Sequence, residues 1–512
     1  MHEEIELKLA LPRQTLPVLR CHPLIAPAEV SMSNTVLENT YYDTADLALM
    51  KERVGLRTRR AGTRYLQTVK CAATSTGGLS RRPEWEQTFD GKFDFSAIDE
   101  PKLRTMLEGL HPRLEPLFTT RFERETRVYA PNADTRIEIM IDTGHILAGD
   151  RSEPLCEVEL ELVHGSPNAL LELAIQLAKT LPLIPHDASK AQRGYALSQE
   201  RPLQARRASP IICARDTTPL AAFRELAFEC LAQWQYNTWG AATHGEPEFT
   251  HQARVALRRL RTLFKAFAPA LPKQLTEHWQ TALKEQSTLF AATRNLDVII
   301  DDVLPTVSPP LDSCDATAHT QLIQSLANAR QRARRTAQRR LATSPGPGEA
   351  QLTLTQTLHQ LDVTSTARDK LLHYAPVQLD RLHRRLCKRL AKATPNDAAR
   401  LHGLRIAIKE LRYALDQLAP SLPLKKKALA PYLNALGQAQ TQLGHVNDMS
   451  MLSDAPELTR LSKRNASHRQ AWAYARGWLN ATMHENIEDI LKGIERTSGH
   501  PPPWAVTKRA RA

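Results

Sequence analysis

Glu157-Val-Glu159-Leu-Glu161 alternates three carboxylates with apolar residues, and Glu4-Ile-Glu6-Leu-Lys8 does the same with two carboxylates and an ammonium. In an extended strand, successive side chains point to opposite faces, so each segment has one charged and one apolar face. The pattern recurs along the first part of the chain. Arg57 and Arg59 stand opposite Leu56 and Thr58, Arg82, Glu84 and Glu86 are in phase, and Glu138 and Asp142 oppose Ile137, Ile139 and Ile141. An open sheet with one wet face gives the same alternation. Wet faces also mix in Ser, Thr, Gln and Asn, however, whereas these concentrate carboxylates with Arg and Lys. A closed barrel would turn the charged faces inward. Its lumen would then need water, counter-ions or ligand, because unpaired buried charge is costly.

Short alternating segments at Glu4–Leu9, Gly55–Arg60, Tyr65–Lys70, Glu84–Phe89, Arg121–Tyr129, Thr135–Asp142 and Cys156–Leu162 predict strands, with helices near 101–110 and 167–180. After Pro202 the texture changes to long helical runs rich in Ala, Leu, Arg, Gln and Glu. Charge changes at the same place. Residues 1–200 carry 24 Lys and Arg against 29 Asp and Glu, and the remainder 44 against 26. A chain of 512 residues exceeds one ordinary core, so two or three domains are expected. The charge split implies two modules with different partners, the basic one facing nucleic acid, anionic lipid or another polyanion, among which charge alone does not choose. Seven scattered cysteines without a CxxC pair read as reduced thiols. Without a signal-peptide pattern or an uncharged membrane-length window, a soluble cytoplasmic protein with no membrane partner is expected.

Carboxylates mixed with Lys and Arg in one cavity have a chemical reading. Hard divalent cations take oxygen ligands, and Arg and Lys neutralise phosphate. No GxxxxGK[ST] loop accompanies them, which argues against ordinary NTPase machinery. These residues resemble the CYTH domains, the triphosphate tunnel metalloenzymes. The likeness rests on Glu4-Ile-Glu6-Leu-Lys8, Tyr41-Tyr42-Asp43-Thr44, Leu56-Arg57-Thr-Arg59, Lys70, Arg82 to Glu86, Asp142-Thr-Gly144, Glu157-Val-Glu159-Leu-Glu161 and Ser189-Lys190 to Arg193-Gly-Tyr195. It implies an eight-stranded antiparallel β tunnel barrel with helices over residues 1–200. By the same resemblance Lys8, Arg57, Arg59, Lys70, Arg82, Arg121 and Lys190 bind the substrate phosphates. Glu4, Glu6, Glu157 and Glu159 hold Mg²⁺ or Mn²⁺, and Glu6, Lys8 and Glu159 are the catalytic set. Asp142, Glu138, Glu86 and Glu161 are second-tier acids.

The helical part repeats itself. His251, Arg254, Arg258 and Arg261 recur as His402, Arg405, Lys409 and Arg412 at a constant offset of 151 residues. On a helix each set falls within about a quarter of the circumference, opposite an apolar face. A solvated face accounts for one such stripe. Two copies of like charges that would repel on an isolated helix favour a polyanion. This half resembles the CHAD domain over 217–490, with repeats at 217–343 and 367–490. The resemblance implies an all-α domain of two pseudo-symmetric helical bundles that binds inorganic polyphosphate through both stripes. Residues 491–512 read as a basic disordered tail.

The two resemblances together imply an α+β multidomain protein similar to the bacterial inorganic triphosphatases, hydrolysing tripolyphosphate to pyrophosphate and phosphate. Two alternatives remain: a non-catalytic polyphosphate-binding adaptor, and a tunnel enzyme acting on an organic triphosphate, as thiamine triphosphatases and class IV adenylate cyclases do. Nucleic acid is not expected as a specific partner, because aromatic stacking platforms are missing.

Overall fold

The computed structural model describes residues 2–71, 74–76, 79–201, 203–308, 313–363, 369–395, 397–452, 456–484 and 487–505. They form two compact units. One comprises the chain up to Arg206 with Leu231–His244 and Arg339–Gln360, and the other the remainder. The first unit therefore includes two stretches of the region that the sequence assigns to the helical domain.

Its strands are β1 (His2–Ala10), β2 (Glu29–Asp43), β3 (Gly55–Ala61), β4 (Arg64–Lys70), β5 (Thr74–Thr76), β6 (Leu79–Thr88), β7 (Glu115–Asn132), β8 (Thr135–Ala148), β9 (Arg151–His164) and β10 (Ile184–Pro185). They pair antiparallel in the order β10-β1-β9-β8-β7-β2-β3-β4-β6-β5, and β1 pairs also with β6. Eight strands thus follow one another in a ring closed at β1. Every predicted strand lies within one of these, except that Glu84–Phe89 runs one residue past the end of β6. The 15-residue β2 is an addition; register shifts between Val30 and Met32 and between Met32 and Thr35 interrupt the alternation by which it could be read.

Residues directly opposite in a ladder share a face, so the register carries one charged surface around the ring. Lys8 opposes Glu159, Glu157 opposes Asp142, and Asp142 opposes Arg124. Asn39 opposes Arg59, Tyr41 opposes Arg57, and Lys70 opposes Glu84. The alternate residues build the cores outside the ring. Leu7, Leu9, Ile139, Ile141, Val158 and Leu160 pack with Leu170, Leu173 and Leu177 of the helix Pro167–Ala178, and with Leu352. Leu56, Val69 and Trp85 pack with Leu103 and Leu107 of the helix Pro101–Leu110. Ser166 caps the first of these helices by accepting from the Asn168 N–H. A Ser189–Gln192 capping box starts a third, Lys190–Ser198.

All the secondary-structure elements among the other unit's described residues are helices, joined by loops. The repeat helices Pro247–Ala266 and Ala398–Leu418 pack against each other. Beneath the first, Phe223 meets Phe264 and Phe267 at 5.1 and 5.6 Å between ring centroids. The expected tail is shorter than the sequence suggests. The helix Ile487–Ser498 runs into it, and Trp504, only 4% exposed, stands edge-on to Tyr432 at 5.4 Å; residues 506–512 lie outside the described set. No helix among the described residues is long and apolar enough to cross a membrane.

Gly144 is fixed by a close crossing of backbones. A Cβ there would lie 2.2 Å from the Arg121 carbonyl oxygen and 2.5 Å from Phe122 Cα, and backbone atoms in a ladder cannot step aside. Gly144→Ala should cost about 1–3 kcal/mol as an overpacking change, read as a lowered urea midpoint with an unchanged m-value.

Candidate functional site

The shared inner face gathers its charges into two groups. In the first, Asp142 from β8 and Glu157 and Glu159 from β9 are all buried, with one carboxylate oxygen of each within 4.8 Å of the others. The alternation of β9 puts both glutamates on this face, and its register against β8 adds the aspartate. Lys190, the first residue of its helix, reaches in. Its Nζ stands 2.8 Å from Asp142 Oδ2 and 3.1 Å from Glu159 Oε1, and it also donates to Glu157. Arg124 forks onto Asp142 with Nε and Nη2 at 2.7 and 2.6 Å, and Nη2 lies 2.8 Å from Glu159. Lys8 pairs with Glu6 and lies 3.5 Å from Glu159.

The titration of these groups reflects that crowding. Burial works against the Lys190 ammonium, but Asp142, Glu157 and Glu159 outweigh it and raise its pKa. Arg124 is raised in the same way, with Asp142 and Glu159 overcoming burial. Burial would raise the Glu157 carboxyl, yet Lys190 and the nearby His186 bring it down to about 2. The oxygens of Asp142, Glu157 and Glu159 all turn toward one positive charge. Such a set of hard oxygen donors fits a divalent cation of the Mg²⁺ or Mn²⁺ type.

The second group is cationic. Lys70 lies 2.7 Å from Glu84, Arg57 Nη2 is 3.9 Å from Glu84, and Arg59 Nη1 is 3.8 Å from Glu86. Asn39 accepts from Arg59 Nε at 2.9 Å and donates to Thr120 at 3.0 Å, which fixes the guanidinium. Burial, together with Arg57 and Arg124, lowers Arg59 to about 10. Tyr41 is buried beside Arg57. Burial would raise its phenol, but Arg57, Lys190 and Lys70 lower it on balance.

The structure therefore brings together Glu6, Lys8, Arg57, Arg59, Lys70, Glu157, Glu159 and Lys190. It does not bring in Arg121. That residue is exposed and opposes His145 on the outer face, while Arg124 takes the inner position of the same strand. The side chains of Glu4 and Arg82 lie outside the described residues, although their backbones are paired with each other. Sequence reasoning ranked Asp142 below Glu4 and Glu6; it named Tyr41 and Arg193 only within motifs, and it gave no site role to Arg124, Asn39 or His186. The in-phase pair Glu138 and Asp142 carried a signal for the aspartate. For Arg124 the signal exists only in the register of β7 against β8. Asp43 of the Tyr-Tyr-Asp-Thr motif has a structural task, accepting from the backbone N–H groups of Thr44, Leu49 and Met50 and from the Tyr195 hydroxyl at 2.7–3.0 Å.

In the helical unit the first stripe is half-buried. Arg254 donates to the Ser287 carbonyl at 3.2 Å, and burial with Arg258 and Arg294 lowers its guanidinium to about 10. Burial and Arg294 lower His251 as well. The Nε of Arg258 and of Arg261 has no hydrogen-bond partner among the described residues. Arg258 sits 5.7 Å above the Tyr413 ring on the other repeat helix. In the second copy His402 is exposed, and Arg405, Lys409 and Arg412 are half-buried. Arg412 lines a cavity of about 500 Å³ with Asp416, Asn434, Gln438 and Thr441. Glu410 faces Lys265, bonded to its Oε1 at 2.5 Å, and Arg385, 3.0 Å from its Oε2.

Residues 2–195 match the CYTH domain and residues 225–455 the CHAD domain. An inorganic triphosphatase of Haemophilus influenzae is 32% identical over 208 residues, 39% of this chain and 56% of the relative, so the chain spans about half the length of that curated relative. The CHAD domain structure from Ricinus communis is 28% identical with a TM-score of 0.51, covering 59% of this chain and 98% of its own. A Hippeastrum protein assigned to the adenylyl cyclases, with a dominant triphosphatase activity, is 20% identical with a TM-score of 0.31, covering 39% of this chain and 97% of its own.

Two outcomes follow from the buried charges. Arg124→Met leaves Asp142 and Glu159 short of a counter-charge and should cost about 3–5 kcal/mol, measured by urea unfolding. Glu157 is lowered on folding, so the stability it contributes is complete above its ordinary 4.5 and is lost as the pH falls toward about 2. Glu157→Gln should therefore flatten the acid limb of the stability curve across that window.

Proposed function

We propose that this chain, a CYTH domain followed by a CHAD domain, is a divalent-metal-dependent triphosphatase whose preferred substrate is inorganic tripolyphosphate, cleaved to pyrophosphate and phosphate. The observation that carries the reading is the two-sided lumen, with Asp142, Glu157 and Glu159 clustered on one side and Arg57, Arg59 and Lys70 on the other. A linear triphosphate needs both sides. Cations must neutralise its oxygens along their length, and carboxylates would hold the metal that takes up the rest of the charge.

In this reading Arg57, Arg59 and Lys70 bind the phosphate oxygens, and Asn39 keeps the Arg59 guanidinium aimed. Asp142, Glu157 and Glu159 hold the Mg²⁺ or Mn²⁺, with Glu6 beside them. When bound, the cation supplies Lewis-acid neutralisation of phosphate charge and a lowered pKa for the attacking water. Lys8, Lys190 and Arg124 balance the carboxylates and offer N–H donors to charge that grows on the phosphoryl oxygens during in-line displacement. The inorganic substrate is preferred because the inner face is charged and hydrogen-bonding where a nucleobase or thiazole would want an apolar slot. The cationic helix faces bind inorganic polyphosphate, and the like charges of Arg254, Arg258 and Arg294 held close together support that role.

Phosphate release from tripolyphosphate, ATP and thiamine triphosphate, each with Mg²⁺, Mn²⁺ or chelator, tests the assignment. Tripolyphosphate should be turned over fastest and only with metal; no release with either cation sinks the enzymatic reading. Glu159→Gln should lower kcat by about 10²- to 10³-fold, the scale of losing one electrostatic group at a reacting centre. Arg254→Ala combined with Arg405→Ala should weaken retention on polyphosphate and make it less sensitive to salt.

A further inference from the structure

His186 is 1% exposed and has no place in the chemistry above. Its backbone N–H donates to the Lys8 carbonyl at 3.2 Å, which anchors it at the end of β1. Its ring lies flat on the indole of Trp239, with centroids 5.1 Å apart and planes 8° from parallel. Its Nε2 stands 3.6 Å from Glu157 Oε2. Nδ1 has no hydrogen-bond partner among the described residues. A buried imidazole with one nitrogen unpaired, placed beside a carboxylate by a flat stack and a backbone bond, is held for what its other nitrogen faces.

We propose that His186, clamped by Trp239, is the positioning residue that orients Glu157 for divalent-metal binding. The inference rests on the reading of Glu157 as a metal ligand. Glu157 has one oxygen turned to Lys190 and the cluster, and the other toward Arg193 Nη1 at 3.3 Å and toward His186. Nε2 of His186 faces that outer oxygen at 3.6 Å, beside Arg193 Nη1. Fixing the outer oxygen sets the carboxylate plane and leaves the inner oxygen directed at the cation. Partners of this kind, touching a ligand and not the metal, typically change metal affinity by about 10- to 100-fold. Trp239 belongs to the helix Pro219–Thr243, inside the sequence that matches the CHAD domain, yet it lies in the compact unit of the barrel. That stretch of the chain thus supplies the ring on which His186 stacks.

The test is Mn²⁺ binding to the full-length protein without substrate, followed by electron paramagnetic resonance, with the Mn²⁺ dependence of turnover measured alongside. Wild type should bind Mn²⁺ at a site that Glu157→Gln removes. His186→Ala should weaken that binding by about 10- to 100-fold and raise the apparent KM for Mn²⁺, with kcat recovering at saturating metal. His186→Gln, which can return an N–H donor to the place of Nε2, should restore affinity. Trp239→Leu should weaken binding less, because the ring is loosened and not lost. Wild-type affinity in a folded His186→Ala protein overturns the proposal; if that variant does not fold, wild-type affinity in Trp239→Leu overturns it. A wild type with no Mn²⁺ site, or one that Glu157→Gln leaves intact, overturns the metal reading itself and this inference with it.

Discussion

Charge balance inside a closed barrel is the constraint on which the rest depends. Asp142, Glu157 and Glu159 are buried within a few ångströms of one another, and three carboxylates so placed would repel and partly protonate without cations between them. Lys190 and Arg124 supply those cations, each bonded to two or more of the acids. Both depend on distant parts of the chain. Arg124 arrives through the pairing of β7 with β8, and Lys190 through a capped helix about 30 residues beyond β9. The apolar sides of the same strands must then be covered from outside, which the helices Pro167–Ala178 and Pro101–Leu110 do.

The second unit treats charge differently. In the barrel each buried acid faces a base, so the charges are compensated within the fold. Around Arg254 the neighbours are cations, and burial, reinforced by their repulsion, lowers its pKa and that of His251. Like charges held together on a rigid helix leave a standing field that an anionic chain would relieve.

Much of the site could be read in the chain because side-chain alternation is a local property. Glu157, Glu159, Arg57 and Arg59 declare their face within three residues, and the matching stripes of His251 to Arg261 and His402 to Arg412 declare theirs by helical spacing. Arg121 and Arg124 could not be separated in that way. Both lie on one long strand, and which of them faces inward depends on the residue opposite.

Sequence by itself determined that the first part has charged strand faces, that the second is a basic helical repeat, and which acids and bases share a strand face or a helix stripe. Tertiary structure alone decided their grouping. It joined Asp142 to the glutamates of β9, replaced Arg121 by Arg124, set Tyr41 opposite Arg57, and set Trp239 against His186. The reason is that alternation and helical period are fixed by neighbours in the chain, whereas a register or a stacking contact is chosen by the packing of segments far apart, and no local pattern records that choice.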